Sequence, residues 1–419
     1  MISECRFDNG MTLLTEEMPD LRSVTIGVWL RRGSRHELPE LNGISHFIEH
    51  LVFKGTERRT ALEIAREIDA VGGQMDAFTG KESTCFYVRV LDRHLDLALD
   101  LLSDIVLHPW FRTPDIEKER KVIFEEIRMV EDSPEELLSD MLFEERWPDH
   151  PLGRPIQGTF ESVVQLERDV LKRFFQESYI PPDLVLAAAG RLDAREVEAG
   201  VRRAFEARPV LPAASNGTAP VDHPGVKVRN KTEMEQLHLC LGLQSLPQAH
   251  PDRHALRVLS NLLGGTMSSR LFQKIREDRG LAYSVYSAVS SYSDAGFQSI
   301  YAATSPKSAV EVLKIIGDEL NALKAGPVGE VELQESKENL KGSVMLNLES
   351  SYSRMSSLAR KEIVFGRQFT PEEILAGIDA VTAEDLQRLA CQTFRRESAN
   401  LVALGRMAGV DLRLENVFP

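Results

Sequence analysis

A strand, two helices and a hairpin follow one another twice in this chain, about 210 residues apart, and that repetition constrains the fold more than any other feature. In the first half, Met11 to Thr15 and Ser23 to Leu30 are rich in β-branched residues and read as strands, with Pro19-Asp20 as the turn between them. Thr60-x-x-Glu63 is a capping box that opens a helix, and Gly72-Gly73 stops it. Gln74 to Thr79 and Ser83 to Leu91 then flank Gly80-Lys81 as a hairpin, and Asp92 begins a helix to His108. The second half restates this order. A strand at Leu237 to Leu243 precedes helices at Asp252 to Leu263 and Ser268 to Asp278, then a hairpin at Ala282 to Ser290 and Gly296 to Thr304. The first half closes on a helix, a strand at Leu184 to Ala189 and a helix at Ala194 to Phe205; in the second, long helices, a helix from Thr382 and a last strand at Asn400 to Ala403 complete the parallel.

Between the repeats, Ala207 to Gly225 is rich in proline and small polar residues, which marks a linker. The expected organisation is therefore a domain over 1–206, a linker over 207–225 and a similar domain over 226–419. With 42% hydrophobic and 27% charged residues, both domains have material for cores of their own. No apolar run of about 18 residues is present to span a bilayer. Fifty basic residues against 64 acidic ones give a charge of −14, which argues against a nucleic-acid surface and suits basic peptides as ligands. Cys5, Cys85, Cys240 and Cys391 are scattered, with no Cys-x-x-Cys pair, so neither a disulfide framework nor a thiolate metal site is indicated. The N-terminus lacks a basic segment followed by an apolar one, and the expected compartment is the cytoplasm.

One motif carries chemistry and is not repeated. Asn42 to Phe53 reads as an apolar helix on which His46, Glu49 and His50, three and four residues apart, share a face. Neutral imidazole is a good zinc ligand, and a catalytic zinc needs three protein ligands and a position left for water. Glu49 is placed to take that water's proton. The order His-x-x-Glu-His inverts the commoner His-Glu-x-x-His. A third ligand must come from elsewhere, and the helix opened by Thr113-Pro114 and running to Val130 offers it. Ile116, Ile123, Ile127 and Val130 define its buried stripe; Glu119 and Glu126 lie at the stripe's edge, while Glu125 points away. Glu126 is thus the candidate ligand, and Glu119, two turns earlier on the same line, the carboxylate that would orient a ligand from behind. Lone His254 stands near where the helix repeats, and a lone histidine is far more often structural than a ligand.

His46-Phe47-Ile48-Glu49-His50, then Phe53-Lys54-Gly55-Thr56, then Glu126 resemble the pitrilysin or insulinase-like (inverzincin) zinc peptidases, and most closely their half-length branch, which includes the mitochondrial processing peptidase. The similarity extends through Gly264-Gly265-x-x-Ser268-Ser269-Arg270-Leu271 and Arg276 to Tyr283. It implies an α/β fold of the α+β type: two similar domains, each a mostly antiparallel sheet with packed helices, forming half of a clam-shaped chamber. It also implies a zinc metalloendopeptidase holding one Zn2+ per chain on His46, His50 and Glu126, with Glu49 as general base. Ala77, Phe78 and Thr79 match the edge strand that holds substrate extended in relatives. Arg276 and Tyr283 match a pair that, in relatives of twice this length, reaches the substrate from the far half of the chain. In a chain of half that length they would come from a second subunit, so the resemblance implies a homodimer with two composite sites. Gly33-Ser34-Arg35 also matches and reads as structural, whereas the role of Glu82 is not legible.

Two other readings compete. Some family members serve assembly or peptide binding without catalysis, but these have a degraded metal motif, and here all four residues are present. A helical scaffold with an adventitious metal site does not explain the joint match of motif and spacing.

Overall fold

The computed structural model of the chain describes residues 2–206 and 217–419, which divide into two compact units. In the first unit, β1 (Ile2–Arg6), β2 (Thr12–Glu17), β3 (Ser23–Leu30), β4 (Gln74–Thr79), β5 (Thr84–Leu91) and β6 (Leu184–Gly190) form one sheet in the order β1-β2-β6-β3-β5-β4. β2 and β6 run parallel and all other neighbours antiparallel. The alternation along β3 fills both faces. Val24, Ile26, Val28 and Leu30 enter the main core, while Trp29 enters a smaller cluster on the opposite face.

The main core is covered by α1 (Ile44–Val52), α2 (Ala61–Asp69), α3 (Leu95–Leu107), α4 (Thr113–Asp132), α6 (Phe160–Val164), α7 (Arg168–Ser178) and α8 (Ala194–Phe205); α5 (Pro134–Arg146) belongs to the other unit. Each fully buried Leu, Ile, Val or Phe there contributes about 1.5–3 kcal/mol. The capping box expected at Thr60 forms, with Glu63 returning to the Thr60 backbone at 2.8 Å. The helix expected from Asp92 starts as a tight 3-10 turn, Asp92–His94, before α3.

The second unit repeats the plan. β7 (Gly225–Asn230), β8 (Leu237–Gln244), β9 (Ala282–Ser291), β10 (Gly296–Thr304) and β11 (Asn400–Gly405) lie in the order β7-β11-β8-β10-β9, and its parallel pair, β7 with β11, matches β2 with β6. Its helices are α9 (Arg253–Gly264), α10 (Ala309–Ala325), α11 (Glu330–Asn347), α13 (Pro371–Asp379) and α14 (Ala383–Thr393). Where a regular helix was expected over Ser268 to Asp278, Phe272–Glu277 is wound as a π-helix. Most of the expected linker, residues 207–216, lies outside the described residues; its end is corrected, because Gly225 already opens β7.

The units are not the contiguous halves the sequence pattern implies. Met129–Arg154, which carries α5, joins the second unit, and Leu346–Gln368, which carries α12 (Ser351–Phe365), joins the first. The reason is cover. Each sheet buries apolar residues on two faces, and its second face needs a helix. Leu138, Leu142 and Phe143 of α5 close over Cys240, Phe297, Val402 and Leu404. Met355, Leu358 and Ala359 of α12 close over Trp29, Cys85, Val185 and Ala187, and Arg354 pairs with Glu16.

Candidate metal centre

α1 begins without a side-chain cap of its own. Gly43 precedes it at φ +94°, where a Cβ would meet the Gln157 carbonyl oxygen at 2.7 Å, so the position requires glycine. The orphan amides at this helix start are instead satisfied by buried Glu37, which accepts from Gly43 N at 2.8 Å, Ser45 N at 2.9 Å and Asn42 Nδ2 at 3.2 Å. Burial pushes the Glu37 carboxyl upward and these donors pull it back. Sequence reading missed Glu37. Its signal was indirect: an Asn-Gly start with no Ser, Thr or Asp cap.

Ile44, Phe47, Ile48 and Leu51 bury the inner face of α1, and the opposite edge presents His46, Glu49 and His50. From α4, Ile116, Ile123 and Ile127 are buried as expected, Glu125 is exposed in a pair with Arg128, and Glu126 turns to the histidines. Glu126 Oε2 lies 3.6 Å from His46 Nε2 and 3.4 Å from His50 Nε2. Tetrahedral zinc with bonds of about 2.0–2.1 Å separates its ligand atoms by about 3.3 Å, so the two nitrogens and one oxygen fit the ion. The three ligand atoms all lie within 4.8 Å of one another.

Glu119 stands behind His50, with Oε2 at 3.3 Å from Nδ1, and its other oxygen pairs with Lys54 at 2.8 Å. Burial opposes its ionisation, yet hydrogen bonds from His50 and Lys54 hold its pKa below the carboxylate norm. The imidazoles are not equivalent. Burial and the neighbouring His50 press His46 down to about 4, so it is neutral. Burial would lower His50 too, but Glu119 and Glu126 carry it up to about 9. His46 Nδ1 is buried with no partner among the described residues, so a carboxylate fixes only the second imidazole.

Glu49 does not join this cluster. It accepts the Thr79 hydroxyl at 2.5 Å, and burial raises its pKa, with Asp76 and Glu126 adding to the rise. Thr79, expected at the substrate strand, therefore also positions Glu49. β4 is an edge strand, since among the described residues β5 is its one neighbour. Gly33, Ser34 and Arg35 brace the β4–β5 turn: Ser34 N donates to Gly80 O, Arg35 N to Lys81 O, and the Arg35 side chain to Glu82 at 2.7 Å. That is the structural part Glu82 plays.

Residues 12–160 match the family described as Insulinase (Peptidase family M16), and residues 165–340 match the Peptidase M16 inactive domain. A Bacillus subtilis protein named as an uncharacterized zinc protease is 42% identical over 399 residues, covering 95% of this chain and 97% of that one. This chain belongs to the M16, insulinase-like, peptidase family. A Mycobacterium leprae protein with the same description is 42% identical, over 92% of this chain and 88% of its own length. The fold agrees with that of a Helicobacter pylori protease, at a TM-score of 0.89 and 23% identity over 97% of this chain and 99% of that one. The M16 inactive domain from Pseudomonas fluorescens gives 0.89 at 20% identity, over 97% and 98%. The inactive label falls on the half that lacks the His-x-x-Glu-His motif.

Arg276 and Tyr283 lie in the second unit. The guanidinium covers the Tyr283 ring at 4.4 Å and the Phe272 ring at 4.7 Å, and Tyr283 is 76% exposed at the start of β9. Gly280, at φ +60°, closes the preceding π-helix as the left-handed residue expected there. Among the described residues no helix is long and apolar enough to cross a membrane.

Proposed function

We propose that this M16 protein is a zinc-dependent endopeptidase acting on peptides or extended protein segments. The observation that carries the reading is the meeting of His46 Nε2, His50 Nε2 and Glu126 Oε2, with the half-buried carboxylate of Glu49 outside that group on the same helix. His46, His50 and Glu126 would hold zinc, which when bound supplies Lewis acidity and brings the pKa of a water toward about 7. Glu49, its pKa raised by burial, takes the proton of the attacking water as that oxygen adds to the scissile carbonyl carbon. The same carboxyl then gives the proton to the departing amine nitrogen as the C–N bond breaks. Thr79 holds Glu49 in place for both transfers.

β4 supplies the means to hold an extended peptide. Gly80 N donates to Ser83 O, so alternation along the hairpin turns the backbone groups of Ala77 and Thr79 to the free edge; Ala77 N donates there to Asp76 Oδ1 at 2.8 Å, which leaves the Ala77 carbonyl and both Thr79 groups for an added strand. The four unpaired cysteines suit the cytoplasm, which we take as its compartment. We further read the enzyme as a homodimer in which Arg276 and Tyr283 of one subunit donate hydrogen bonds to the oxyanion or substrate backbone at the other's zinc.

A purified Glu49→Gln protein should keep its zinc and lose about 10²–10⁴-fold in peptide turnover. Full activity in that variant would sink the assignment. The dimer reading is tested by mixing a Glu49→Gln chain with an Arg276→Ala/Tyr283→Phe chain, each impaired alone. Sharing in trans restores one intact site per mixed dimer and hence activity. A verified mixed dimer that stays inactive rejects it.

A further inference from the structure

Arg360, on α12, is an exposed cation with no assigned work. Its guanidinium lies 5.7 Å from the Trp29 ring centroid and 6.0 Å from that of Phe78, at the outer limit of a cation–π contact. Among the described residues it has neither an ion pair nor a hydrogen-bond acceptor, although the chain has 64 acidic residues. Five N–H donors are therefore left to solvent or to a ligand.

The position of this cation along the sheet matters. Met75 and Ala77 of β4 pack toward the main core, whereas Phe78 packs on the opposite face with Trp29, Tyr87 and the residues of α12. A peptide strand added to the free edge of β4 points alternate side chains to that opposite face, and the residue across from Phe78 has its Cβ about 4.5–5.5 Å from Phe78. The Arg360 guanidinium lies 6.0 Å from the centroid of that same Phe78 ring. Asp76, on the same face of β4, makes no ion pair with Arg360; its carboxylate accepts from Ala77 N at 2.8 Å and the Tyr87 hydroxyl at 3.4 Å.

We propose that Arg360, lying over the buried Trp29, forms with Phe78 a subsite that takes an acidic side chain of the bound peptide, on the face of β4 away from the zinc helix. The proposal rests on the reading of β4 as the peptide-holding edge. Aliphatic parts of a Glu side chain pack on Phe78 while its carboxylate meets the guanidinium in a charge-assisted hydrogen bond. The subsite thus sets preference at one peptide position, and on alternate positions to those facing α1.

The test uses the zinc-loaded full chain and quenched fluorescent peptides in which Glu, Gln and Lys are scanned through the residues flanking the cleaved bond. The wild type should cleave the Glu peptide about fivefold or more faster than the Gln peptide, in kcat/KM, at one position. Arg360→Met should bring that ratio to one, Arg360→Lys should keep part of it, and Arg360→Glu should favour Lys over Gln there. Thermal melts matched to wild type exclude misfolding, and Arg360→Glu remains informative because it gains a preference. An unchanged Glu-to-Gln ratio in Arg360→Met, or no Glu-preferring position in the wild type, overturns the subsite. Affinity for the same labelled peptides is read separately by fluorescence anisotropy. Discrimination in binding without hydrolysis overturns the proposed function and keeps the subsite; hydrolysis without discrimination does the reverse. A protein that neither binds nor cuts any of the peptides overturns both.

Discussion

The first unit and the second share a strand order and a parallel pair, yet α1 carries three reactive side chains where α9 carries a single histidine. His254 of α9 has its Nδ1 buried without a partner among the described residues, and its ring packs against Gly377, where a Cβ would meet Nε2 at 2.7 Å. Burial, then Arg253 and Arg257, lower it to about 4, and no acidic group offsets them. At His50 the same burial is overcome by Glu119 and Glu126. The comparison teaches that a helix of this plan becomes a metal centre only when a second helix brings carboxylates to its imidazoles. Without them the histidine is packing.

The strongest break to that comparison is on the first-unit side. His46→Ala should lose both bound zinc and activity, unlike Glu49→Gln, which should lose only turnover; metal analysis of the purified proteins separates the two. Chelation of the wild type should mimic His46→Ala in activity while changing circular dichroism little, since each unit has an apolar core independent of the metal. Collapse of the helical signal on chelation would mean the ion also holds the fold.

A smaller effect is expected at Glu119. Glu119→Gln should weaken zinc binding about 10–100-fold, because the His50 ring loses the carboxylate that orients it. Protons report the same contact. In the metal-free wild type His50 is raised to about 9 and so is protonated near pH 7.5, whereas ligation needs it neutral. Zinc uptake at that pH should release about one proton, and affinity should rise with pH until about pH 9. With the carboxylate gone His50 titrates lower, so the release at pH 7.5 should shrink. Calorimetry in buffers of different ionisation enthalpy measures it, and an unchanged release would break the link between Glu119 and His50.

The smallest effect belongs to the second unit. His254→Ala should leave zinc content and turnover as they are and lower the melting temperature by a few degrees, as expected for removing a packed ring. Loss of zinc in that variant would undo the contrast between α1 and α9.

Much of the centre was legible because its rules are local. Helical periodicity alone puts His46, Glu49 and His50 on one face and separates Glu126 from Glu125 on α4. Two alternating hairpins announced β4–β5 and β9–β10, and the element order announced two similar units. β1, polar and short as Ile2-Ser3-Glu4-Cys5-Arg6, gave no such pattern. Nor could any local rule assign Glu37 to the start of α1, Glu82 to Arg35, or Thr79 to Glu49, since each joins segments distant in sequence through a side chain whose target is set by packing. The same holds for the exchange of α5 and α12. Their apolar residues say that each must be buried, but not against which sheet, because the hydrophobic effect is non-directional and shape decides the partner. Arg360 is the clearest case: in sequence one arginine among many, it acquires meaning only where the fold sets it over Phe78 at the open edge of β4.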